Sequence, residues 1–321
     1  MISGEYAVLD GAPAIVAAVG ARAIARLSPP ASDGSGPLGG GSHDETSSQP
    51  EVVVARRCAE SALGPMSMQL TVDTHALREG DRKLGLGSSA AAAVGAVAAV
   101  MAFHGRDLAD AAVRREMLSL ADRGHRAIAP QGSGADVAAS ALGGWVRFER
   151  HGEDVDARPL AWPDALTMRV AWTGKPARTS ELVAKVKALA ARDAAAHGRA
   201  IGAVREAAAA LLAAIERGDA GAAALAMDVH GRAMQALGEA ADAPIVTAEL
   251  AQIAALAREC GGGAKPSGAG GGDVAIACFA SPGAAEAFDE RCRAAGVTLL
   301  DLVLGEEGPR REPDPDDARI A

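Results

Sequence analysis

Apolar blocks alternate along the chain with glycine-rich breaks, and the spacing inside each block predicts its structure. Residues 14–27 read as strand material. They run into a low-complexity stretch, 28–50, whose Gly, Ser and Pro content predicts a mobile surface loop. A strand is predicted near 51–54, then a short polar helix, then a strand near 67–73. The alanine-rich run 90–103 reads as a helix. Asp107 is placed to cap another that extends to about Arg126, with Leu108, Ala111, Ala112, Met117, Leu118 and Ala121 as its apolar face. Strands follow at 144–149 and 168–172. From 179 to 261 the pattern is helical almost throughout, with breaks at Gly218 and at Ala243 and Pro244. A strand at 274–279, a helix at 282–295 and a strand at 298–304 complete an α+β second half, and Pro and Asp after 305 predict a disordered tail.

Composition narrows the class. A chain of 321 residues that is 49% hydrophobic can bury a large core. Its 32 basic and 41 acidic residues give a net charge of −9, which argues against a general nucleic-acid binder. An anionic substrate must then be met by local cations, and Lys83, Lys175, Arg178 and Lys265 lie in or beside glycine-rich loops. Cys58, Cys260, Cys278 and Cys292 have neither metal-ligand nor disulfide spacing. His75, His104, His125 and His230 also lack ligand spacing and read as surface or capping residues. No signal-peptide pattern opens the chain, and 90–103 is too short to span a bilayer, so a cytoplasmic enzyme with no membrane partner is expected.

Three glycine-rich segments carry the candidate chemistry. Lys83, Leu84, Gly85, Leu86, Gly87, Ser88, Ser89 and Ala90 lead into the 90–103 helix. Glycines let the backbone approach an anion, and the free N–H groups at the start of a helix point at it. The same pattern also describes a plain helix N-cap after a flexible loop. Gly132, Ser133, Gly134, Ala135 and Asp136 place a carboxylate just after a tight turn, and residues 261–273 form a glycine-rich run before the strand at 274–279. Each abuts a regular element, which a linker between domains would not do.

The order of these segments, together with Ser3, Gly4, Glu5, Tyr6, Ala7, Val8 and Leu9 at the start, resembles the GHMP kinase superfamily over nearly the whole chain. Within it the chain most resembles the phosphomevalonate kinases. Tyr6 after Glu5, Lys83 ahead of the glycine loop, residues 172–180 (Trp-Thr-Gly-Lys-Pro-Ala-Arg-Thr-Ser) and 265–273 (Lys-Pro-Ser-Gly-Ala-Gly-Gly-Gly-Asp) carry that likeness. The resemblance implies an α+β fold of two lobes. An S5-like N-terminal lobe spans 1–165, a ferredoxin-like C-terminal lobe spans 166–305, and 306–321 is a disordered tail. It implies ATP and Mg²⁺ as cofactors, phosphorylation of 5-phosphomevalonate in the mevalonate route to isoprenoids, and a monomer or homodimer.

By the same resemblance Leu84 to Ala90 wrap the nucleotide phosphates together with Gly268, Gly270 and Gly271, and Ser89 is the Mg²⁺ ligand. Lys83 bridges ATP phosphate and substrate, while Tyr6, Ser133, Gly134, Arg147 and Ser267 line the substrate side. Asp136 is the acidic residue at the reacting centre. A phosphate monoester acceptor, with a second pKa of about 6, is already nucleophilic at neutral pH. Asp136 is therefore assigned an orienting and charge-balancing role instead of proton abstraction, with helix capping as its other reading. Members of the family carry Pro-Gly-Lys just ahead of the Ser-Gly-Glu-Tyr segment, and that triplet is not in this sequence. A strand bearing it is expected upstream of Met1. Mevalonate kinase, another small-molecule kinase of this fold, and a non-catalytic ATP-binding homologue stay open as alternatives.

Overall fold

The apolar run at 51–54 opens a helix, Pro50–Leu63, and not the predicted strand. Val52, Ala55 and Ala59 bury one helical face, and Pro50 at the first turn has its φ already set for a helix. A computed structural model describes residues 1–30, 49–80 and 82–312, and the fold is α+β. Most of the predicted 28–50 loop lies outside the described residues.

Two compact units interleave along the chain. The larger is built from 1–21, 77–86 and 144–306; the smaller from the described parts of 22–76, 87–143 and 307–321. This grouping does not follow the expected division at 165, because the strands Ala14–Ala17 and Trp145–His151 pair with each other and belong with the C-terminal residues.

In the larger unit an antiparallel sheet runs in the order Thr298–Leu300, Thr167–Trp172, Val274–Phe279, Gly263–Pro266. Val274–Phe279 is buried on both faces, which explains its unbroken apolar run. A second sheet joins Ala14–Ala17, Trp145–His151 and Asp154–Pro159. The predicted helical stretch resolves into Thr179–Arg192, Ala194–Glu216, Ala220–Ala241 and Ala248–Glu259. Gly218 and Pro244 lie in breaks, as expected. A further break falls at Asp193, whose carboxylate caps the next helix by accepting from Ala196 N at 2.8 Å. Among the described residues no helix is long and apolar enough to cross a membrane.

The smaller unit packs Pro50–Leu63, Ser88–Phe103, Ala111–Ile128 and Ala135–Leu142 with the strand pair Ile24–Ser28 and Gln69–Asp73. Gly124 permits a close helix crossing: a Cβ there would lie 2.6 Å from Ala55 Cα. The helix after Asp107 is capped three residues later than expected. Asp110 accepts from Ala112 N and Val113 N, whereas Asp107 closes a turn by accepting from Ala109 N. The start of the predicted tail is anchored. Gly143 bridges Glu307, and Arg22 donates to the carbonyls of Glu307 and Gly308 at 3.0 and 3.2 Å. Residues 313–321 of that tail lie outside the described residues.

Candidate active site

The first glycine loop is divided between the units, with Lys83 to Leu86 in the larger and Gly87 onward in the smaller. Lys83 is exposed, in a short strand Arg82–Lys83 that pairs with Arg78–Glu79. Leu84 is buried and donates its N–H to the Leu77 carbonyl at 3.2 Å. Gly85 has φ +73°, and a Cβ there would come within 2.5 Å of the Asp273 side chain, so no other residue fits without displacing it.

Gly87, with φ +78°, is the N-cap of Ser88–Phe103, and no side chain caps that terminus. The N–H groups of Ser88, Ser89 and Ala90 accordingly have no intrahelical acceptor. Gly134, φ +78°, plays the same part for Ala135–Leu142. The two termini approach each other within the smaller unit, since a Cβ on Gly87 would be 3.4 Å from Asp136 Cβ. Asp136 is exposed, and one carboxylate oxygen accepts from Val137 N at 3.0 Å. Ser133 Oγ accepts from Ala135 N at 3.3 Å. Ser89 Oγ lies 3.3 Å from His125 Nε2. Two helix N-termini, a hydroxyl and a carboxylate thus share one surface, an arrangement suited to a phosphorylated ligand and its cation.

The third glycine run serves packing more than access. A Cβ on Gly270 would overlap the Ile245 carbonyl, and one on Gly271 would lie 2.7 Å from Leu182 Cδ1; Gly261 and Gly268 face open space. Tyr6, expected on the substrate side, is buried, and its hydroxyl donates to the Ala269 carbonyl at 2.6 Å. Burial, and then the nearby Glu5, push its pKa up. Ser267 Oγ donates to the Met1 carbonyl at 2.9 Å. Arg147 is held by Glu149 at 2.7 Å and Glu216 at 3.3 Å. These three are engaged within the protein.

Of the loop cations, Lys265 is not available to an anion. It is fully buried in the strand Gly263–Pro266 and ion-paired with Glu5, itself 1% exposed. Burial alone would raise the Glu5 pKa, but the charges of Lys265 and His230 and the Lys265 hydrogen bond together bring it below normal. Burial lowers the Lys265 pKa against the pull of Glu5. His230 Nε2 stands 3.4 Å from Glu5 Oε2 without a hydrogen bond, and burial brings its pKa down to about 4. Lys175 pairs with Glu249, and Arg178 with Glu181 at 3.2 Å.

A model of the GHMP kinases N terminal domain matches residues 52–144, and one of the GHMP kinases C terminal domain matches 211–298. The chain is 33% identical over 279 residues to the phosphomevalonate kinase of Streptomyces sp. strain CL190, covering 79% of this chain and 73% of that one. The chain belongs to the GHMP kinase family. A second relative, the mevalonate kinase of Aeropyrum pernix, is 29% identical over 326 residues, covering 97% of this chain and 95% of its own. The GHMP kinase fold also appears in the Streptococcus pneumoniae phosphomevalonate kinase solved with phosphomevalonate and AMPPNP. That structure matches with a TM-score of 0.76 at 21% identity, covering 94% of this chain and 96% of its own.

Sequence reasoning about this GHMP kinase passed over two residues. Asp273 takes φ +53°, a conformation few side chains adopt. It accepts from Ala177 N at 3.0 Å while crowding Gly85, and burial raises its pKa. The signal was a lone non-glycine ending a run of three glycines. His125, read as a surface or capping residue, is buried, as is His230. Leu118, Ala121 and His125 lie on one helical stripe, a spacing that marks His125 as inward-facing.

Proposed function

We propose that this GHMP kinase transfers the γ-phosphoryl group of ATP to 5-phosphomevalonate, forming 5-diphosphomevalonate. The observation that carries the phosphate chemistry is the meeting of two glycine-started helix N-termini, at Gly87, where no side chain caps the helix, and at Gly134, beside Asp136. The likeness to the Streptomyces phosphomevalonate kinase supports the choice of acceptor.

The donor set fits the nucleotide. Gly87 adds no side chain in front of the helix, and Ser88, Ser89 and Ala90 present unpaired N–H groups to phosphate oxygens. Mg²⁺, held by Ser89 Oγ, would offset the charge on the phosphate oxygens. In this reading Lys83 contributes a mobile point charge to the transferring group and to the acceptor phosphate. Gly134 and Ser133 orient the acceptor, and Asp136 balances charge and holds the cationic groups in register. No proton abstraction is required of it, because the acceptor is ionised near neutral pH.

Release of ADP measured over a panel of acceptors, phosphomevalonate, mevalonate, galactose and homoserine, tests the reading. Turnover confined to phosphomevalonate is expected, and turnover of mevalonate with none of phosphomevalonate refutes it. Mevalonate kinase is the second reading, because the Aeropyrum relative aligns along 97% of the chain.

A further inference from the structure

Among the buried polar groups that the proposed chemistry does not use, His125 stands closest to it. Its ring projects from Ala111–Ile128, is 6% exposed, and places Nε2 3.3 Å from Ser89 Oγ. Nδ1 is buried and has no hydrogen-bond partner among the described residues. A buried donor left without an acceptor is costlier than an unmade bond in water, so the structure disfavours a proton on Nδ1. Nε2 then carries the proton and donates it to Ser89 Oγ. A serine hydroxyl has two lone pairs and one proton. With one lone pair engaged by His125, the other lone pair and the proton are left for groups beyond the ring.

Freed from that bond, the Ser89 side chain would turn among staggered rotamers or bond a nearby backbone carbonyl. We propose that His125 is a positioning residue. By donating from Nε2 it holds the Ser89 hydroxyl in the rotamer that offers a lone pair to a divalent cation and a proton to a phosphate oxygen. The inference rests on the reading of Ser89 as a Mg²⁺ ligand. It differs from that reading in assigning the orientation of the ligand to a residue that touches neither cation nor nucleotide.

The test is ATP binding by calorimetry across a series of free Mg²⁺ concentrations and in EDTA, for the parent chain, Ser89→Ala, His125→Met, His125→Gln and the double variant S89A/H125M. Met keeps the volume and removes the hydrogen bond, whereas the Gln amide can donate from near the Nε2 position. Removing an outer group that orients a metal ligand weakens metal affinity by about 10–100-fold. His125→Met and Ser89→Ala should each raise the half-saturating Mg²⁺ concentration about 10-fold or more. Binding of ATP in EDTA should weaken far less than binding in Mg²⁺ in both, His125→Gln should recover most of the loss, and the double variant should be no worse than the worse single one. Melting curves show whether each variant is folded. If His125→Met is not, His125→Asn, whose amide ends short of Ser89, replaces it with the same expectation. A shifted Mg²⁺ dependence in Ser89→Ala beside an unshifted one in His125→Met overturns the proposal alone. An unshifted Ser89→Ala overturns the metal reading of Ser89 and the proposal with it.

Discussion

The first and third glycine-rich loops have similar compositions and opposite constructions. In the first, Gly87 starts a helix with no side-chain cap and Lys83 is exposed. In the third, Gly270 and Gly271 are pressed against Ile245 and Leu182, and Lys265 is buried against Glu5. Gly87 opens a helix terminus in one loop whereas Gly270 and Gly271 serve close packing in the other, and a lysine beside glycines is exposed in one setting and a structural ion in the other. The neighbours decide. A buried pair loses its meaning when one member is removed, because the other charge is left uncompensated in low dielectric.

The two lysines give the strongest way to break this contrast. Lys265→Ala should lower stability by about 3–5 kcal/mol in urea unfolding, since Glu5 would be stranded. Lys83→Ala should change stability by less than about 0.5 kcal/mol while turnover falls about 10²–10³-fold. Equal stability losses for the two would remove the distinction.

Acid should find the third loop first. With its pKa lowered from an ordinary 6.5 to about 4, His230 is neutral in the folded protein while the unfolded chain takes up a proton between those values. The stability it contributes is therefore present above about pH 6.5 and lost as pH falls towards 4, by about 3 kcal/mol. Glu5, lowered below its ordinary 4.5, adds a loss of the same sign at still lower pH. Melting temperatures from pH 7 to 4 measure this, and a flat profile in the parent chain would contradict the burial argument. His230→Leu should flatten the upper part of the slope.

The glycines of one run can be separated from each other. Gly268→Ala pays only for its left-handed backbone, about 1 kcal/mol, whereas Gly270→Ala adds overlap with the Ile245 carbonyl and should cost at least about twice that. Comparable midpoints in urea would show that the loop can shift. The mildest change expected is Asp136→Asn, with little effect on melting and a loss of turnover of about ten-fold. Under the proposed function raising pH through the second ionisation of the acceptor phosphate should not restore it. Recovery at high pH would return Asp136 to the role of a base.

What could be read from the sequence follows the range of the interactions involved. The helices of 179–259 and the strand Val274–Phe279 announce themselves through local periodicity and capping residues. The helix Pro50–Leu63 does not, because a run of three valines fits strand and helix equally over four residues. The strand Gly263–Pro266 was hidden by the glycines that precede and open it, and its pairing with Val274–Phe279 makes it one. At the candidate site the glycine loops and Asp136 are visible as motifs. The burial of Lys265, the engagement of Tyr6 with Ala269 and the contact of Ser89 with His125 each join residues between 36 and 263 positions apart, beyond the reach of any local pattern.

The Glu5–Lys265 pair also sets a schedule. Glu5 leaves the ribosome well ahead of its partner, which follows 260 residues later. At about 5–20 residues per second, the carboxylate waits on the order of tens of seconds before its counter-charge exists. Residues 22–143 supply nearly all of the smaller unit, so that unit can gather first, while the opening segment of the larger one stays hydrated in the nascent chain. Closing this ion pair is thus a late event in biogenesis, and a chain stalled before residue 265 carries an N-terminal segment with nowhere to dock.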